Sequence, residues 1–180
     1  MTSWWSDHPD LEGVARRGRG EMRQEAEDVE RDADHLRRRQ RSLVEVCFEW
    51  MSRGDLVTIG VGDTEYQGRL VAALNDLLVL VTPTMRVAVD AGAVRSVRSD
   101  RPAAHEGSSG DRIIGSFQAL LGSFEVEGRP VRLLDAAGSF DVTGVVTATT
   151  ADHVDVRDGD GREWVLARRA VTCLLETIDG

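Results

Sequence analysis

The sequence predicts an α+β protein in which a long N-terminal α-helix precedes two tandem copies of a helix followed by a five-strand small β-barrel. Two observations lead there. Residues 21–52 hold neither glycine nor proline and are rich in strong helix formers, which predicts one continuous helix. Beyond them, short β-rich runs separated by Gly-Asp and Asn-Asp turn signals occur twice in the same order, each time after an apolar helical stretch.

Composition sets the bounds. A chain of 180 residues with 41% apolar content can bury one ordinary core or two small ones, and the repeat favours two. The formal charge is -9 and every basic residue except histidine is arginine. An acidic balance opposes indiscriminate binding to nucleic acid or to an anionic membrane, because each phosphate contact needs a local cation. Cys47 and Cys173 lie far apart in apolar runs, so they form no CxxC pair and read as reduced, buried thiols. No apolar run approaches the roughly 20 residues needed to cross a bilayer, and the first ten residues have no apolar signal core. The expected location is the cytoplasm, with no membrane partner.

Residues 1–20 show no helical periodicity and read as a mobile arm. Trp4 and Trp5 within it are a candidate docking motif, since tryptophan is favoured at interfaces, or they fold back onto the protein's own apolar surface. In the helix expected over 21–52, Met22, Val29, Leu36, Leu43 and Trp50 recur every seven residues, with Ala26, Ala33, Gln40 and Cys47 between them. That is the spacing of a coiled-coil seam, so Met22, Val29, Leu36 and Leu43 are the candidate surface for self-association or for a partner helix. The helix is acidic in its first half and basic in its second, an arrangement that favours antiparallel pairing. Arg37, Arg38 and Arg39 are candidate phosphate contacts, opposed by acidic neighbours one turn away.

Residues 53–98 carry the first set of strands: a run from Leu56, a second through Gly68-Arg69-Leu70, a third over Leu77–Val81, then Arg86–Val89 and Ala93-Val94 with Val97. Residues 99–112 are polar and read as a linker. Residues 113–176 repeat the order. An apolar helical stretch from Ile113 to Phe124 leads to Val131–Leu134, Gly144 takes the place of Gly68, and Ala170-Val171 with Leu174 take the place of Ala93-Val94 with Val97. Residues 177–180 are a tail.

A helix, a strand pair around Gly-x-Leu and a closing Ala-Val-x-x-Val resemble the Sm-like fold, one of the SH3-like small barrels, over 43–98 and again over 113–176. The resemblance implies ring assembly and single-stranded RNA held by an aspartate and asparagine after the Gly-x-Leu strand and by an arginine-glycine pair before the last strand. In this chain Asn75-Asp76 matches the first motif in part, but Leu77-Leu78 and His153-Val154 stand where the family has Met-Asn. Asp90-Ala91 and Ala167-Arg168 stand at the arginine-glycine positions. An aspartate in place of a phosphate-facing arginine repels what the family attracts.

Catalytic and metal constellations are not apparent. The four histidines share no ligand spacing with each other or with cysteine. Asp155, Asp158 and Asp160 with Gly159 and Gly161 read as a hairpin turn rather than a calcium loop. The expectation is a non-enzymatic interaction or scaffold protein without cofactor or metal, docking on a protein partner or on itself through its N-terminal helix. The alternative is a nucleic-acid-binding regulator that uses Arg37, Arg38, Arg39, Arg168 and Arg169.

Overall fold

The computed structural model of the chain describes residues 28–33, 36, 39–101 and 115–178. Trp4, Trp5, Met22, Arg37 and Arg38 lie outside these residues, as does most of the expected linker. The chain divides into two units, one up to Arg41 and one from Ser42. The second holds two α-helices, α1 (Leu43–Arg53) and α2 (Phe117–Glu127), and ten strands. The strands are β1 (Leu56–Val61), β2 (Thr64–Leu74), β3 (Leu77–Val81), β4 (Met85–Asp90), β5 (Val94–Arg101), β6 (Pro130–Leu134), β7 (Asp141–Thr149), β8 (His153–Asp158), β9 (Glu163–Ala167) and β10 (Cys173–Thr177).

The long N-terminal helix does not form. Residues 28–33, 36 and 39–40 are helical, but Arg41 and Ser42 are not. Ser42 has extended dihedrals and starts a new helix as its N-cap, its hydroxyl accepting from the Glu45 N–H while the Glu45 carboxylate accepts from the Ser42 N–H at 2.6 Å. This capping box satisfies donors that a helix running through Ser42 would have bonded internally. The break also removes the basis for a coiled coil, because Val29 and Leu36 precede it and Leu43 follows it. Gly54, left-handed at φ 74°, ends α1.

Two closed barrels do not form either. All ten strands make one antiparallel sheet in the order β5-β1-β2-β3-β4-β10-β6-β7-β8-β9. β4, which would close the first barrel, instead pairs with β10, Val89 opposite Cys173 and Val87 opposite Leu175. β10 in turn pairs with β6 on its other side. The two five-strand halves nevertheless follow the same path, down to a register shift between Leu70 and Ala72 in β2 and another between Val146 and Ala148 in β7. Gly68 and Gly144 hold equivalent places, and each faces a backbone carbonyl so closely that a side chain would not fit. A Cβ at Gly68 would stand 2.6 Å from the Val81 oxygen, and one at Gly144 would overlap the Arg157 carbonyl.

Burial explains why one sheet forms instead of two barrels. β3 reads Leu-Leu-Val-Leu-Val, continuously apolar, as expected of a strand covered on both faces. Leu77 and Val79 pack with Ala88, Leu174 and the α2 residues Phe117, Leu121 and Phe124. Leu78 and Leu80 point the other way, to Val87, Val89, Cys173 and Cys47 of α1. Each core therefore draws on both halves of the chain. The first turn of α2 is fixed to the first half directly, since the Phe117 N–H donates to Asp76 Oδ1 at 2.9 Å. Asn75 Nδ2 also donates to the Gly115 carbonyl.

Candidate functional site

An open sheet has two outer strands, here β5 and β9, and among the described residues neither has a partner on its outer side. Such edges expose backbone N–H and C=O groups and are sites where further strands add. β9 follows a tight turn organised by Asp158, whose carboxylate accepts from the backbone N–H of Asp160 at 3.0 Å and of Arg162 at 2.8 Å. Its other oxygen accepts from the Trp164 indole N–H at 3.0 Å. These bonds, the Trp164 one foremost, hold the Asp158 carboxyl below its ordinary range. The Asp155–Asp160 segment is thus part of a hairpin, and Trp164 is pinned by it. Next to Trp164, Val165 is 71% exposed.

β5 is charged where β9 is apolar, with Arg95, Arg98 and Arg101 along it and Asp100 between them. Asp100 accepts from the Thr58 hydroxyl, from Arg98 Nε at 2.5 Å and from Gln67 Nε2 at 3.1 Å. These partners, Thr58 first, pull its carboxyl down to about 2. Ser99 donates to Asp55, a buried carboxylate that also pairs with Arg53 at 2.6 Å. β5 is therefore fastened to β1 and β2 by polar side chains, and among the described residues nothing pairs with its outer side.

The residues singled out from sequence fall in several places. Val29 is 69% and Leu36 57% exposed, and Leu43, on the first turn of α1, is 39% exposed. Arg39 and Arg169 are exposed. Arg168 faces inward: its guanidinium lies 4.8 Å over the Phe117 ring, 3.4 Å from Asp90 and 3.9 Å from Asp76. It serves the packing of α2 and offers little to a phosphate. The strand β9 was not singled out from sequence; its signal is the apolar run Trp164–Ala167 between Glu163 and Arg168.

Other polar groups are held within the fold. His153 Nδ1 lies 2.6 Å from Asp152 and 2.9 Å from the Thr150 hydroxyl, closing the β7–β8 turn. Among the described residues no group of three His, Cys, Asp or Glu side chains could hold a metal ion. A cleft between the β1–β2 turn and the loop after β6 is lined by Asp63, Tyr66, Arg95, Asp135, Asp141 and Cys173. Its charges are engaged within the fold, Asp141 with Arg132 at 2.6 Å and Arg95 with Asp63 at 3.5 Å. Burial pushes the thiols of Cys47 and Cys173 up to about 11, so neither is poised as a nucleophile. No helix among the described residues is long and apolar enough to cross a membrane. No known protein family, curated protein or solved structure matches the chain.

Proposed function

We propose that this is a non-enzymatic interaction protein, a rigid sheet that docks protein partners along its open edges, with the exposed apolar residues of the N-terminal region as a further contact. The observation that carries this reading is β9, an outer strand that presents Val165 at 71% exposure beside Trp164. Strand addition takes its affinity from main-chain hydrogen bonds and its specificity from alternate side chains, and β9 offers both. The overall charge of -9 and the inward turn of Arg168 weigh against the nucleic-acid alternative.

Affinity purification from the native cell, with and without nuclease, tests the reading when the wild type is compared with Val165→Lys. A lysine on an edge strand blocks addition of another strand. The expected outcome is a nuclease-resistant set of proteins that the variant loses. Partners that vanish with nuclease and survive the substitution would overturn it in favour of a nucleic-acid binder.

A further inference from the structure

Of the serines and threonines in the chain, two have an arginine three residues before them, Ser42 and Thr172. Each ends an arginine-led run, Arg37-Arg38-Arg39-Gln40-Arg41-Ser42 and Arg168-Arg169-Ala170-Val171-Thr172. Runs of this kind are what arginine-directed protein kinases read, because carboxylates beside the kinase active site take each guanidinium by charged, paired hydrogen bonds. The sequence offers both hydroxyls, and the fold separates them.

Thr172 is 8% exposed, its hydroxyl donates to the Leu134 carbonyl at 3.2 Å, and its own carbonyl accepts from the Asp90 N–H at 2.9 Å. Arg168, at the head of its run, is turned inward over the Phe117 ring and toward Asp90. A kinase reaches this hydroxyl only by parting β10 from β4. Ser42 is presented instead. Residues 39–43 are all exposed, and Ser42 has extended dihedrals, φ -71° and ψ 161°. Kinases hold the substrate segment extended, and here the chain is already non-helical at Arg41 and Ser42. Arg39 and Gln40 stand at the end of a helical stretch, where fraying costs least.

We infer that Ser42 is a phosphorylation site for an arginine-directed serine/threonine kinase that uses ATP. The Ser42 hydroxyl oxygen attacks the γ-phosphorus of ATP, the bond from that phosphorus to the departing ADP oxygen breaks, and the hydroxyl proton passes to a carboxylate of the kinase. The phosphate adds about 1.5–2 negative charges at the start of α1.

The local consequence follows from the capping box. Ser42 Oγ accepts from the Glu45 N–H at 3.2 Å, and the Glu45 carboxylate accepts from the Ser42 N–H at 2.6 Å. Phosphate oxygens go on accepting from the Glu45 N–H, so α1 keeps its cap. The Glu45 carboxylate has the same sign of charge as the phosphate and is driven off, which releases the Ser42 N–H. Modification thus undoes the reciprocal half of the device that starts α1 at this residue. The inference stands apart from the open-edge reading above, since it concerns the start of α1 and needs nothing on β5 or β9.

Two measurements on the full chain test this. Phosphopeptide mass spectrometry on the chain isolated from its native cell is expected to find phosphate on Ser42 and none on Thr172. The purified folded chain, treated with ATP and the catalytic domain of an animal protein kinase B, which requires arginine three and five residues before its serine, is expected to take phosphate at Ser42. Ser42→Asn keeps a side chain that caps helices and has no hydroxyl, so it should stay folded and take up none. Arg39→Gln should lower kcat/KM for the kinase by about tenfold or more, the loss of one charge-assisted contact, with circular dichroism unchanged. After phosphorylation, amide hydrogen exchange should quicken at Ser42 while the Glu45 amide stays protected. Absence of phosphate from Ser42 in the chain from its native cell would overturn the inference, even if the purified chain is a substrate. Labelling of Thr172 in the folded chain, or a rate indifferent to Arg39→Gln, would overturn the selection of Ser42 by exposure and by arginine. Exchange at Ser42 that phosphorylation leaves unchanged would overturn the effect assigned to Glu45.

Discussion

Asp100 shows at the scale of one residue how an edge strand with no outer neighbour among the described residues is kept in place. Its carboxylate gathers Thr58 from β1, Gln67 from β2 and Arg98 from its own strand, and their donors favour the charged form. The carboxyl therefore sits at about 2 in the fold against an ordinary 3.8. A depressed carboxyl contributes stability that is complete above its unfolded value and is lost as pH falls through its folded one. Asp100→Asn should accordingly be less stable than wild type in urea at neutral pH. The gap should stay constant down to about 4 and close as pH drops from 3.8 toward about 2. A gap independent of pH across that window would show that the charge of Asp100 plays no part. Thr58 and Gln67 gave no hint of this cluster in the sequence, because its members are brought together only by pairing β5 with β1.

At the scale of elements, the strand runs and their turns were readable and the partner of the last strand was not. Gly68 and Gly144, the Asn75-Asp76 turn and the Asp158–Gly161 hairpin all stand where turn chemistry and alternation place them. Ser42-x-x-Glu45 is a capping signal lying within a run of good helix formers, where propensity alone runs through it. The continuous apolar run of β3 was the visible sign that this strand is covered on both faces, a condition a small barrel with a wet exterior does not meet. Leu77→Ala and Leu78→Ala, one on each face, should therefore each cost about 2–5 kcal/mol in urea unfolding, the range for emptying a packed leucine site. If one of the two substitutions were nearly neutral, one face of β3 would be solvated and the two-core description would fail. The β9 edge was missed for a different reason: a strand of five residues, one glutamate and then four apolar residues in a row, has no alternation of its own, and its exposure depends on where the sheet ends.

For the whole molecule, the question is whether the halves unfold together. They share β4–β10 pairing, Ala88 and Val79 lie against α2, and Cys173 and Leu175 lie in the core under α1, so neither half completes its own interior. Leu174 is the residue best placed to test this, because it belongs to the last strand of the second half while packing beside Ala88 of the first. Trp50 in α1 and Trp164 in β9 are natural reporters of the two halves, once Trp4 and Trp5 are replaced by phenylalanine and each reporter is kept singly. Leu174→Ala removes a buried side chain at a cost of about 2–5 kcal/mol. In a shared core that loss is felt by every strand that the junction holds, and both tryptophans should report the same lowered midpoint. Two autonomous domains would respond differently, with the Trp164 signal shifting and the Trp50 signal unmoved. Coincident midpoints in wild type followed by a common shift in the variant are therefore the outcome that a single sheet requires. A shift confined to Trp164 would restore two independent domains in its place.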